Sequence, residues 1–129
     1  MPTWAELREY ARSKYKLAKD EPDFFTLVFG FGDTRSQLIL VRRFTAFEKE
    51  WIEFRSPICK EPALPHREAL TKNLEFAVGA IGLEADGTYV LTYSLPLASM
   101  DPEEFELPLH VLAKTADTLE KSYAAADDF

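Results

Sequence analysis

Residues 76–123 read FAVGAIGLEADGTYVLTYSLPLASMDPEEFELPLHVLAKTADTLEKSY, and this stretch decides the fold. Two runs rich in β-formers, Phe76–Leu83 and Thr88–Leu95, flank Asp86-Gly87, a pair that accepts the positive φ angles of a tight hairpin turn. The runs are expected to pair as antiparallel strands. Asp101-Pro102-Glu103-Glu104 then supplies an N-cap, a proline at the first helical position and acids in the first turn, all favouring a helix start. Phe105, Leu109, Leu112, Ala116, Leu119 and Tyr123 follow at alternating spacings of four and three, which lays one apolar stripe along a helix. Pro108 lies past the first turn and is expected to kink this helix or restart it.

Working toward the N-terminus, Pro65 is expected to open a helix through Leu70 to about Leu74, after a loop bracketed by Pro62 and Pro65. Trp51–Ser56 reads as a strand stopped by Pro57, and Phe44–Glu50 as either a loop or a strand extension. Phe24–Phe31, FFTLVFGF, is too aromatic and too short for a helix. Phe25, Leu27, Phe29 and Phe31 fall on one of its faces, Phe24 and Val28 on the other. After a turn at Gly32–Arg35, Ser36–Arg43 returns as its hairpin partner. Thr3-Trp4-Ala5-Glu6 has the form of a capping box, and Trp4, Leu7, Ala11 and Tyr15 continue at helical spacing, predicting a helix from Trp4 to about Leu17. Asp20-Glu21-Pro22-Asp23 should end it in a turn. The fold class is α+β: a five-stranded antiparallel sheet with helices, in the order α-β-β-β-α-β-β-α, as one domain over residues 1–129.

Composition is consistent with this. At 129 residues the chain is of ordinary single-domain size, and 47% hydrophobic content is too high for disorder. Cys59 is the only cysteine, so no intrachain disulfide forms, and a reducing, cytoplasmic setting is expected. The first twenty residues are charged throughout, unlike a secretory leader, and no apolar run approaches the ~20 residues of a membrane span. Net charge is −7, which argues against nucleic acid as a partner. Residues 101–129 hold eight acids against Lys114 and Lys121, whereas residues 35–72 hold eight bases against five acids.

From about Leu74 onward the pattern looks familiar. Ile81-Gly82-Leu83-Glu84-Ala85-Asp86-Gly87, Tyr89-Val90-Leu91, Ser94-Leu95-Pro96-Leu97, and Asp101 opening a helix with Ala116-Asp117-Thr118-Leu119 resemble the type III secretion chaperone fold. They are similar, too, to the YbjN-like bacterial proteins, with which Trp51 and Ser56-Pro57 are compatible. The resemblance covers roughly residues 74–125 in detail. It implies a small acidic cytoplasmic protein, usually a homodimer, that binds extended segments of a client through apolar patches on sheet and helix. It implies no catalytic residue, and FFTLVFGF is more aromatic than the resemblance leads one to expect.

No constellation for catalysis, a cofactor or a metal emerges from the residues. Cys59 and His66 are the one Cys–His pair to weigh as nucleophile and base, but no family signature surrounds them, and a lone cysteine is commonly a small buried hydrophobe. His66 and His110 with one cysteine do not make a zinc set without acids. Gly30-Phe31-Gly32 lacks the third glycine and following helix of a dinucleotide fingerprint.

Binding is the expected role. A strand apolar on both faces needs cover on both, and three helices fall short of wrapping a whole sheet. The bare patch is then a homodimer seam or the seat of a client chain; the alternative is a monomer whose helices cover everything. Phe24, Val28, Leu38, Leu40 and Arg42 share one strand face and are the expected contacts with a partner protein. A second hypothesis is a sensory domain in which Trp51 and a basic strip, formed by some of Arg35, Arg42, Arg43, Lys49 and Arg55, hold a small acidic molecule.

Overall fold

The computed structural model describes residues 3–31 and 35–124. Helix α1 (Trp4–Lys14) begins at the expected capping box: Thr3 and Glu6 exchange side-chain-to-backbone bonds of 3.2 Å each way. It ends a turn earlier than expected. Tyr15 leaves the helix in an extended conformation so that its ring packs on Phe29 and its hydroxyl donates to Glu106.

That early exit releases Leu17–Glu21 to form β1, which pairs antiparallel with β2 (Phe24–Phe31). Among the described residues the sheet therefore has six strands, not five. LAKDE carries almost no β-propensity, which is why it read as helix tail and turn; pairing with β2 overrides local preference. Arg8 and Arg12 of α1 bond the two oxygens of Asp20 and tie the strand to the helix.

β3 (Arg35–Ala46) and β4 (Lys49–Lys60) form a long hairpin, which settles Phe44–Glu50 as strand extension around a two-residue turn. The turn residues Phe47 and Glu48 both have positive φ, 53° and 61°. The Gly32–Thr34 part of the preceding expected turn lies outside the described residues. Pro57 does not stop β4. The ladder with β3 ends at Leu40–Arg55, so no partner is lost for want of the proline N–H, and the Pro57 carbonyl accepts a 2.8 Å bond from Gln37. A bulge between Pro57 and Cys59 follows.

A short 3₁₀ turn leads to α2 (His66–Lys72), for which Pro65 is the N-cap and Asn73, not Leu74, the C-terminal limit. β5 is confined to Ala80–Leu83, pairing with β6 (Thr88–Pro96) through the expected Asp86-Gly87 turn. The shortening has a cause at Gly79. Its φ is +92°, and a Cβ there would meet Leu91, the Thr92 carbonyl and Leu112 at 3.2–3.3 Å. Phe76 and Val78 serve as core packing before it. Finally α3 (Pro102–Tyr123) starts at the Asp101 cap, whose side chain accepts from the Glu104 amide at 2.8 Å, and runs as one helix through Pro108 without restarting.

The strand order is β1-β2-β3-β4-β6-β5, every neighbour antiparallel. Phe25, Leu27, Ile39, Val41, Ile52, Phe54 and Leu91 point to one face and are fully buried. Against them lie α3 through Phe105, Leu109 and Leu112, and α1 through Trp4, whose ring stacks on Phe25 at 5.5 Å. α2 caps the far end, where His66 meets Tyr89 and Glu68 accepts from the Tyr123 hydroxyl. The helices thus cover the inner face, and the outer face stays bare.

The β3–β4 turn yields a stability prediction. Positive φ costs an L-residue about 1 kcal/mol or more per position, and Asn-Gly is the sequence such a turn favours. F47N/E48G should raise the unfolding free energy on the order of 1–2 kcal/mol, read from the urea midpoint at unchanged m-value.

Candidate functional site: the open face of the sheet

Side chains alternate along a strand, so the β2–β3 register decides which residues share the outer face. Phe24 lies opposite Arg42, Thr26 opposite Leu40, and Val28 opposite Leu38. All five residues expected to contact a partner therefore stand on this one face. Val28 is 54% exposed and Leu38 42%, although both are aliphatic and lie within their strands. Phe24, Leu40 and Arg42 line a shallow cleft of about 360 Å³ with Asp23 and Arg43. The apolar band continues onto the next strand, where Phe44 and Trp51 face each other and stack at 6.3 Å.

Beside that band sits a charged centre that the sequence reading missed. Glu53 is 7% exposed despite lying on the open face, because its neighbours roof it over. Arg42 Nε donates to it at 2.7 Å, Arg55 at 3.1 Å and the Thr92 hydroxyl at 2.9 Å. Burial pushes the Glu53 carboxyl pKa up, but these hydrogen bonds outweigh it and hold the carboxyl below its usual range. Burial likewise lowers the Arg55 pKa, and the bonds to Glu53 and Glu84 outweigh that, so it is raised. Arg42 is braced from a second side, its guanidinium carbon 4.9 Å from the Phe44 ring centre.

The basic strip does not assemble. Arg35 faces α3, bonding Asp117 at 2.9 Å and Glu120 at 3.2 Å. Arg43 pairs with Asp23 and Glu50, while Lys49 is exposed at the hairpin end. Arg42 and Arg55 share the Glu53 carboxylate. Trp51 spends its indole N–H on the Ala46 carbonyl at 2.8 Å.

A second apolar patch lies at the far edge. Leu70 and Leu74 of the α2 end are 69% and 91% exposed, and Leu83 of β5 is also exposed. Ala69, Leu70, Ile81, Leu83 and Tyr89 line a cleft of about 230 Å³ there. Leu70 is on α2 and is exposed while its neighbour Ala69 is buried, whereas Leu74 follows the helix end, so no helical spacing in the sequence marked the two as one patch. Cys59 is fully buried, and His66 bonds Glu61 at 2.7 Å. Among the described residues no group of three or more His, Cys, Asp or Glu side chains could hold a metal ion. Nor is any described helix long and apolar enough to cross a membrane.

No family model and no curated protein sequence matches the chain. Seven solved chains match its structure. One, from the structure of the HopA1–SchA chaperone–effector complex, has a TM-score of 0.64 at 16% identity and covers 89% of this chain and 90% of that one. Another, from the crystal structure of the ExsC–ExsE complex, has a TM-score of 0.68 at 14% identity and covers 98% and 100%. The chain has the type III secretion chaperone fold, an open antiparallel sheet with three helices, as the resemblance implied. It carries that fold with six strands.

The Glu53 centre generates a pH prediction. A carboxyl with a depressed folded pKa contributes stability above its unfolded value of about 4.3, and that contribution is lost as pH falls through the folded pKa. E53Q should therefore cost about 2 kcal/mol at neutral pH, and the gap from wild type should close as the urea midpoint is followed below about pH 4.

Proposed function

We propose that the protein is a non-enzymatic binding module of chaperone type, which holds an extended segment of a partner polypeptide on the outer face of its sheet. One observation carries this: Val28 and Leu38 are exposed aliphatic neighbours on a face that no helix among the described residues covers. Soluble monomers seldom leave a contiguous apolar patch bare without a use for it. The cleft beside Phe24, Leu40 and Arg42 gives a side chain a place to seat, and the stacked Phe44–Trp51 pair extends the same surface. That the HopA1–SchA neighbour is a chaperone–effector complex supports the reading without carrying it.

The module acts in the cytoplasm as a homodimer. Leu70, Leu74 and Leu83 offer a second apolar patch, separate from the outer face, where another copy packs while the sheet remains open to the partner. Separate surfaces for the two tasks make them separable by substitution.

Val28→Asp sets a charge where the partner's apolar side chains would lie. It should weaken partner binding at least tenfold, about 1.4 kcal/mol, while changing stability by less than about 1 kcal/mol because Val28 is half exposed. The check is co-purification from the native host, identification of the partner, and titration of both proteins. A V28D chain that folds and keeps its partner removes this face from consideration. L70D/L74D should sediment as a monomer and still bind; a wild type that is itself monomeric refutes the dimer alone.

A further inference from the structure

A sheet has two edges, and here they are protected in different ways. Alternate residues of an edge strand turn their N–H and C=O groups outward, which makes any bare edge a template for another chain. β1 carries Lys19, Asp20 and Glu21 and a register irregularity between Leu17 and Lys19, devices that discourage such pairing. β5 reads Ala-Ile-Gly-Leu and has none of them. It is short, uncharged and flanked by the exposed Leu70, Leu74 and Leu83. By composition it is the more adhesive edge.

Asn73 closes it. The Ile81 amide donates to Asn73 Oδ1 at 2.6 Å, and Asn73 Nδ2 donates back to the Ile81 carbonyl at 3.4 Å. A side-chain amide has the donor and acceptor geometry of a peptide group, so this pair imitates one rung of a β-ladder. Ile81 is the first of the two outward-facing residues of β5: the Glu84 amide bonds the Thr88 carbonyl, so alternation turns Gly82 toward β6 and Ile81 and Leu83 away from it. The residue that ends α2 thus occupies the site where an incoming strand would have to begin.

We propose that Asn73 is an edge guard, which keeps copies of this chain from joining sheet to sheet through β5 and restricts contact at this end to side-chain packing. The claim is independent of whether the wild type is a dimer, because it concerns what happens when the guard is removed. Without Asn73 both Ile81 and Leu83 present outward backbone pairs on an apolar edge, and a second β5 can add to the first.

The experiment is sedimentation velocity of the full chain at about 10 and 200 µM, beside hydrogen exchange at the Ile81 amide. N73A should lose at least tenfold of the Ile81 protection at the lower concentration. At the higher one its average mass should rise at least twofold above wild type, with Ile81 protection regained. Asn73→Asp keeps the acceptor for the Ile81 amide and puts a charge on the edge, so it should sediment as wild type. If circular dichroism shows N73A unfolded, Asn73→Ser carries the same comparison. A variant that melts earlier but keeps the wild-type mass at both concentrations would show Asn73 to be a loop anchor only. Association of N73D to the same extent as N73A would overturn the proposal equally.

Discussion

The stripe of Phe105, Leu109, Leu112, Ala116 and Leu119, laid against Ile39, Phe54 and Leu91, is the contact on which the rest of the molecule depends. Its helix has 22 residues and so spans about 33 Å, while six strands cover roughly 24 Å in the hydrogen-bonding direction. One helix of that length crosses the middle of the sheet, α1 fills one flank and α2 closes one end. Among the described residues no helix is left over for the other face. The open surface is thus a consequence of how many elements the chain has and where their apolar stripes point, with no separate device needed to keep it bare.

An open face has to remain soluble, and the outer surface shows how this is managed. Aliphatic and aromatic residues occupy β2, β3 and the start of β4, while Glu53, Arg42, Arg55 and Thr92 form a bonded polar centre beside them. The ion cluster offers poor backing for another sheet stacked face to face, because burying it fully would cost more in desolvation than its internal pairing returns. The aliphatic band suits a single extended chain, which can cover Val28 and Leu38 without dehydrating Glu53. At the edges the same problem is met by charge on β1 and by a side-chain amide on β5.

Much of this was legible in the sequence, and the reasons differ by element. The Asp101 cap, the stripe of α3, the Asp86-Gly87 hairpin and the two-faced run FFTLVFGF are local patterns whose physics lies within a few residues, and each appears where expected. β1 was hidden because LAKDE is built mostly of helix formers and is a strand only in contact with β2. Pro57 misled because a proline stops a strand only where its N–H would be needed, and that depends on where the neighbouring strand ends. The five residues expected to meet a partner could be assigned to one face from alternation alone. Their exposure could not, since it depends on which face the helices choose. The basic strip failed for a related reason: Arg35 and Arg42 both lie on β3, but an odd separation puts them on opposite faces.

The central claim is that one face of this sheet is bare until a partner chain lies on it. Cysteine labelling tests it most directly: Val28→Cys and Leu38→Cys, each with Cys59 replaced by serine, are treated with a maleimide before and after addition of the co-purified partner. The account predicts fast labelling of both positions in the isolated protein, slow labelling in the complex, and no labelling of an inner-face control such as Ile39→Cys in either state. Slow labelling of Val28→Cys and Leu38→Cys in the isolated protein, or a rate that the partner leaves unchanged, would contradict it.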